Sequence, residues 1–281
     1  MTLNYNSAAE LKTFLNDNNL GMRKKFGQNF LINPNIRQSL VSALGAEAGD
    51  SVWEIGPGLG AMTSMLLENG MRVMAFEIDK GFIDILKKIF AGSPDFCLVE
   101  GDVIKTWQQA GAAPYLLGNL PYNIAATLLA GFIEHGRLFK RMVVTVQLEV
   151  ARRMAASPGC ADYSSFSVLC ASAYRIKPLM VIKGASFYPK PNVDSQAVLL
   201  ELKDDAAIQP ACFYPLVRQL FSSRRKMIKN NFAGFFKCGN QAEAAAQVLD
   251  LCAIDGNKRA EDLSPSDFSL LAQTIKNMRI S

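Results

Sequence analysis

The feature that most constrains the fold is a glycine turn, Glu54-Ile55-Gly56-Pro57-Gly58-Leu59-Gly60, set between a strand-like run and a helical one. Glycines at such a turn let the backbone reverse sharply and approach a ligand closely. The run that enters it, 51–55, is the first of five apolar stretches with strand character, followed by 72–77, 96–99, 115–117 and 142–147. Helical segments at 60–69, 80–90 and 124–135 fall between them. The alternation predicts an α/β fold, a mostly parallel sheet with helices on both faces. Two later β-rich stretches, 178–183 and 195–202, are expected as antiparallel edge strands.

Composition shifts at Lys203-Asp204-Asp205, and helical patterns follow at 213–222, 226–236, 242–251 and 265–275. Two domains are therefore expected, 1–203 and a small all-helical 204–281. Residues 1–22 are Asn-rich and polar with a short helical pattern at Leu11, Phe14 and Leu15, which predicts an extension packed loosely on the core. With 281 residues and 49% apolar content the chain can bury a sizeable core. No apolar run is long enough to span a bilayer, and the N-terminus lacks a signal peptide's basic-then-apolar layout, so no membrane partner and a cytoplasmic location are expected.

Six cysteines lie far apart without a CxxC pair, which argues against a disulfide framework or a zinc site and predicts reduced core thiols. No metal is expected. His135 is the single histidine and ends an apolar helical stretch, so it reads as a solvent-facing residue at a helix C-terminus. Catalysis by histidine-activated nucleophiles or by several metal-bound histidines is thereby disfavoured.

The glycine turn alone leaves the ligand open, since Gly56, Gly58 and Ala61 also fit a dinucleotide pattern. Glu77 ends the next strand and can accept hydrogen bonds from ribose hydroxyls of either NAD or S-adenosylmethionine. Gly101-Asp102 closes the third strand region, where a carboxylate can meet an adenine amine or simply cap a helix. The fourth strand ends in Asn119-Leu120-Pro121-Tyr122, at the edge where open α/β sheets bind ligands. An asparagine carbonyl beside a rigid proline can accept the hydrogens of an exocyclic amine, and the tyrosine can stack on a base. A dehydrogenase has no use for that tetrapeptide.

Taken together these residues resemble the ribosomal RNA adenine N6,N6-dimethyltransferases, and within them the type that acts on small-subunit RNA. The resemblance runs from Lys24-Lys25-Phe26-Gly27-Gln28-Asn29-Phe30-Leu31 through the motifs above to Phe187-Tyr188-Pro189-Lys190-Pro191-Asn192-Val193-Asp194-Ser195 and Ser223-Arg224-Arg225-Lys226, the last resembling the basic start of a helix. It implies a Rossmann-like class I methyltransferase domain with a helical C-terminal domain that contacts RNA. Asn29, Leu31, Gly56, Gly58, Glu77, Asp102 and Asn119 would bind S-adenosylmethionine. Asn119, Leu120, Pro121 and Tyr122 would hold the target amine, and Tyr122 and Phe187 would sandwich the flipped adenine. The substrate implied is 16S ribosomal RNA in 30S or pre-30S particles, dimethylated at two adjacent adenosines near its 3′ end, by a monomer with a role in subunit maturation.

Departures from the family pattern are Ala125-Ala126 where a polar pair is usual, Asn192 where a lysine is usual, and Tyr163-Ser164-Ser165-Phe166 in place of Tyr-Gly; they bear on RNA contacts more than on chemistry. The net charge of +5 fits a nucleic-acid partner. Lys24, Lys25, Arg152, Arg153, Arg224, Arg225 and Lys226 are the candidate phosphate contacts. Two alternatives stay open, a large-subunit RNA methyltransferase of the resistance type and a ribosome-assembly factor in which methylation is incidental.

Overall fold

The computed structural model describes residues 3–21, 28–206, 209–236 and 240–278. The chain folds into two compact units. The first comprises Met1–Gly131, Leu138–Ala151 and Lys177–Leu202. The second takes in Lys203–Ser281 together with Phe132–Arg137 and Arg152–Ile176, and so draws in more chain than the boundary expected near 204.

In chain order the first elements are α1 (Ala8–Asp17), β1 (Phe30–Leu31), α2 (Pro34–Leu44), β2 (Ser51–Ile55), α3 (Ala61–Glu68) and β3 (Arg72–Glu77). Next come α4 (Lys80–Ile89), β4 (Phe96–Glu100), α5 (Val103–Thr106), β5 (Tyr115–Asn119), α6 (Ala125–Glu134) and β6 (Arg141–Gln147). They are followed by α7 (Leu148–Ala155), α8 (Ser165–Ala173), β7 (Tyr174–Ile182), β8 (Phe187–Tyr188) and β9 (Ser195–Leu202). The last helices are α9 (Phe213–Phe221), α10 (Ile228–Ala233), α11 (Gln241–Leu251) and α12 (Pro265–Met278).

Seven strands form one sheet in the order β4-β3-β2-β5-β6-β9-β7. β2 through β6 pair in parallel and β9 runs antiparallel to β6, as the sequence pattern predicts. Leu40, Val41 and Leu44 of α2 and Met62 and Leu66 of α3 cluster with Val52, Val73, Leu117 and Val143 of the sheet. The residues of opposite register, Trp53, Phe76, Leu116 and Val144, are buried as well. Consecutive burial along β2, β5 and β6 means both sheet faces are covered, as a parallel sheet requires.

Chain order along the sheet reverses between β2 and β5. That is the switch point at which open α/β sheets bind ligands, beyond the carboxyl ends of the strands. Ile55 pairs with Gly118, so the loops leaving β2 and β5 are neighbours. A separate two-stranded pairing, Phe30 with Tyr188 and Leu31 with Phe187, joins the early and late sequence motifs.

The N-terminal extension is packed more tightly than its polarity suggests. Leu11 and Leu15 are buried against Leu59, Phe82 and Ile85, because their spacing puts them on one face of α1. Each such side chain stabilises by about 1.5–3 kcal/mol.

The second unit has its own core. Phe213, Leu216 and Leu220 of α9 pack with Phe232, Val248, Phe268 and Leu271, and with Tyr163 and Val168 from the segment around α8. Tyr163 donates from its hydroxyl to the Leu263 carbonyl at 2.9 Å. These apolar contacts explain why 152–176 belongs to the helical unit. The cysteines depart from expectation: Cys170 and Cys252 are buried, whereas Cys97 and Cys160 are exposed, and Cys238 lies outside the described residues. Cys97 sits on β4, an edge strand, which leaves it uncovered. His135 is exposed just past α6.

Candidate functional site

A cavity of about 260 Å³ opens at the switch point and is lined by Asn29, Gly56, Gly58, Glu77, Asp102, Asn119 and Pro121. A smaller one shares Asn29, Gly56, Gly58 and Asn119 with it and adds Leu31 and Arg37. The fold therefore brings together every residue expected at the cofactor. The glycine turn has a steric reason. Gly58 adopts φ +59, and a Cβ there would come within 3.0 Å of the Phe30 ring. Gly60, at φ +88, caps α3 without a side chain, and a Cβ would meet the Phe90 ring at 2.7 Å.

Glu77 ends β3 with its side chain buried. One carboxylate oxygen accepts from the N–H groups of Ile78 and Asp79, both at 2.9 Å, and the other from Gly58 N–H at 3.2 Å. Burial pushes its pKa up to about 7 despite those three donors. Glu54, fully buried in β2, is likewise raised to about 7 by burial, with the nearby Glu77 charge adding to the effect. Thr63 of α3 donates to one Glu54 oxygen at 2.6 Å, and the other has no hydrogen-bond partner. Two neighbouring carboxyls thus share a site that disfavours a second negative charge.

Asp102 lines the cavity and also caps α5, accepting from Ile104 N–H at 3.0 Å. The cap reading of this residue therefore holds, and the same residue faces the cavity. Asn119, at the end of β5, donates from Nδ2 to the Asn29 carbonyl at 2.8 Å. A carbonyl can only accept, so this bond sets the amide's orientation and leaves Oδ1 as its acceptor. Leu120 follows with its side chain buried and its N–H donating to the Thr145 carbonyl.

Tyr122 is half-buried, and its hydroxyl pairs with Ser195 Oγ at 2.5 Å. Ser195 starts β9 opposite Gln147 and is itself buried. Phe187 is not gathered into the cavity. Its ring is 3% exposed and packs with Leu31, Leu40 and Ile182.

The described basic candidates all belong to the second unit. Arg152 is exposed, while Arg153 lies 6.0 Å from the Phe166 ring. Arg224 is engaged with Glu261 at 2.9 Å and with the Ala161 carbonyl; Arg225 and Lys226 are exposed. These three do not begin a helix, contrary to expectation. They occupy a turn, and α10 starts only at Ile228. The turn is held by Asn231 Nδ2, which donates to the Leu220 and Ser223 carbonyls. Lys24 and Lys25 lie outside the described residues. Among the described residues no cluster of acidic, cysteine and histidine side chains could hold a metal, and no helix is long and apolar enough to cross a membrane.

Sequence reasoning assigned no role to Thr63, Ser195, Tyr5 or Arg37. Ser195 lies inside a quoted motif and Thr63 follows the glycine turn by three residues, so both were within reach. Arg37 interrupts the apolar pattern of α2 and carried no signal of its own.

A family model described as Ribosomal RNA adenine dimethylase matches residues 19–277. The Ribosomal RNA small subunit methyltransferase A of Treponema denticola is 46% identical, over 98% of this chain and 97% of its own length. The crystal structure of a dimethyladenosine transferase from Plasmodium falciparum superposes with a TM-score of 0.77 at 27% identity, covering 88% of this chain and 98% of that one. The 23S rRNA methyltransferase ErmE superposes with a TM-score of 0.63 at 18% identity, covering 88% and 99%, a likeness of fold.

Proposed function

The chain belongs to the ribosomal RNA adenine dimethylase family, and we infer that it dimethylates adenine N6 in small-subunit ribosomal RNA with S-adenosylmethionine as methyl source. The observation that carries the site assignment is the meeting of Glu77, Asp102 and Asn119 around one cavity at the switch point. The residues suit this cofactor: a buried carboxylate is at hand for ribose hydroxyls, and a Cβ-free turn lets the ligand lie against the backbone.

When bound, the cofactor supplies a methyl group on a positively charged sulfur. The chain's own residues bind and orient. Glu77 accepts from the ribose, Asp102 meets the adenine end, and Asn29 and Leu31 meet the amino-acid end. Asn119 Oδ1 and the Leu120 carbonyl accept the two hydrogens of the target amine, drawing N6 toward a tetrahedral geometry that frees its lone pair. Pro121, directly after them, stiffens the loop. Among the described residues neither histidine nor lysine lines the cavity, and the proton lost from N6 passes to water. Alignment of this kind supplies about 7–11 kcal/mol of the barrier, and no strong base is needed.

Extruding the target from its stack costs a few kcal/mol. Stacking on an aromatic ring returns roughly 1–3 kcal/mol per base. Tyr122 provides the first face, and Phe187 the second once its ring leaves the core. Arg152, Arg153, Arg225 and Lys226 contact phosphates, with Lys24 and Lys25. The substrate is the 16S RNA of 30S or pre-30S particles, modified at two adjacent adenosines near the 3′ end during maturation, and the enzyme acts as a cytoplasmic monomer without a metal.

Transfer of labelled methyl groups to 30S and 50S particles from a methylation-deficient strain tests this reading. N6,N6-dimethyladenosine in the 30S RNA alone is the expected product by mass spectrometry. Label confined to 50S RNA would overturn the substrate assignment, and tight 30S binding without label would make the protein an assembly factor.

A further inference from the structure

Arg37 is a cation buried to 5% exposure on the inward face of α2, in the wall of the smaller cavity. Its Nη1 donates to the Leu31 carbonyl at 2.6 Å and, at 3.4 Å, to the Tyr5 carbonyl. Its Nη2 donates to Asn6 Oδ1. Every one of these acceptors is neutral, and among the described residues Nε has no hydrogen-bond partner. No acidic side chain among the described residues forms an ion pair with it. A buried charge without a counter-charge is costly, so the site is built for an anion that the chain itself does not supply.

Two further observations say where that anion comes from. Ala61 and Met62 of the first turn of α3 line the same cavity, and Gly60 offers no side chain to cap that turn. Uncapped N–H groups at a helix start favour negative charge. The guanidinium also holds Leu31, a residue assigned to the amino-acid end of the cofactor. We propose that Arg37 binds the carboxylate of the cofactor's amino-acid end, with Ala61 and Met62 at the start of α3 offering the second donor group. This rests on reading the two joined cavities as the cofactor pocket.

The arrangement gives the N-terminal segment a task. Tyr5 and Asn6 hold two of the guanidinium's donors, and the Tyr5 hydroxyl donates to the Leu59 carbonyl in the glycine turn at 3.0 Å. Residues before α1 thereby orient a cofactor-binding residue and close one wall of the pocket.

Calorimetric titration of the full chain with S-adenosylhomocysteine and with its decarboxylated analogue tests the proposal without any turnover. Wild type should bind the carboxylate-bearing ligand at least about tenfold more tightly, the size expected for a charge-assisted pair. Arg37→Met should remove most of that preference while binding the decarboxylated ligand as wild type does. Arg37→Lys, which keeps a cation in the core should the methionine variant unfold, should lower the preference several-fold because an ammonium lacks the fork. A preference unchanged in either variant, or absent from wild type, overturns the role of Arg37 alone. Wild type that binds neither ligand overturns the cofactor pocket itself.

Discussion

The two ends of the site are held in different ways. At the end we propose for the cofactor, Glu77 accepts three backbone N–H groups and Gly58 is packed against Phe30, so that surface is already in place. At the end we propose for the target base, Tyr122 is held by one hydroxyl pair and Phe187 lies in the core. The backbone organises the first end through the ends of parallel strands, whereas single side chains organise the second. Asn119 is the hinge of the comparison, since its Nδ2 is bound to Asn29 on the cofactor side and its Oδ1 is left for the amine.

Replacing that hinge is the most severe test. Asn119→Ala should lower methyl transfer by about 10²–10³-fold, the range seen when one transition-state hydrogen bond is removed. Cofactor and ribosomal RNA affinities should stay within a few-fold; a parallel collapse of cofactor affinity by titration would place Asn119 wholly at the cofactor end. Tyr122→Ala comes next, with turnover down about 10–100-fold from the lost stack and cofactor binding unchanged. Equal losses in both would erase the distinction between the two ends.

The cofactor end is tested through stability. Thr63→Val removes the hydroxyl that donates to buried Glu54 and should cost roughly 1–3 kcal/mol in urea unfolding. Glu54 also gives a pH signature. Its pKa rises from 4.5 to about 7 in the fold, so between those values the native state holds a proton that the unfolded chain has released. Stability should therefore fall as pH rises through that window and level off above it. Glu54→Gln should flatten the fall, with the share from Glu77 remaining; an unchanged pH profile of the urea midpoint would show that Glu54 is ionised throughout.

The smallest effect is reserved for Ser195→Ala. Losing the one bond that orients Tyr122, worth about 0.5–1.5 kcal/mol, should lower turnover about two- to tenfold at unaltered cofactor affinity. A loss as large as that of Tyr122→Ala would mean the ring cannot stack without its hydroxyl partner.

Much of the fold is legible along the chain. The strands 51–55, 72–77 and 195–202 fall where their apolar pattern puts them, because burial on both faces imposes a near-continuous apolar run on central strands. α2 is absent from the sequence reading for a physical reason. Its buried face runs Arg37, Leu40, Val41, Leu44, and the arginine breaks the apolar stripe that would announce a helix. α10 is shorter than its pattern because the chain around Met227 pairs with Arg259 before the helix begins. The late motif carries Phe187, yet nothing in its letters says that the ring is 3% exposed.

Sequence by itself determined the alternating α/β layout, the glycine turn, and which residues end the strands, since period and turn chemistry act locally. Tertiary structure alone decided which of those residues touch. The bonds from Asn119 to Asn29, from Tyr122 to Ser195 and from Arg37 to Tyr5 and Asn6 join segments far apart in the chain. Sheet register and helix packing set such partners, and no local propensity encodes them.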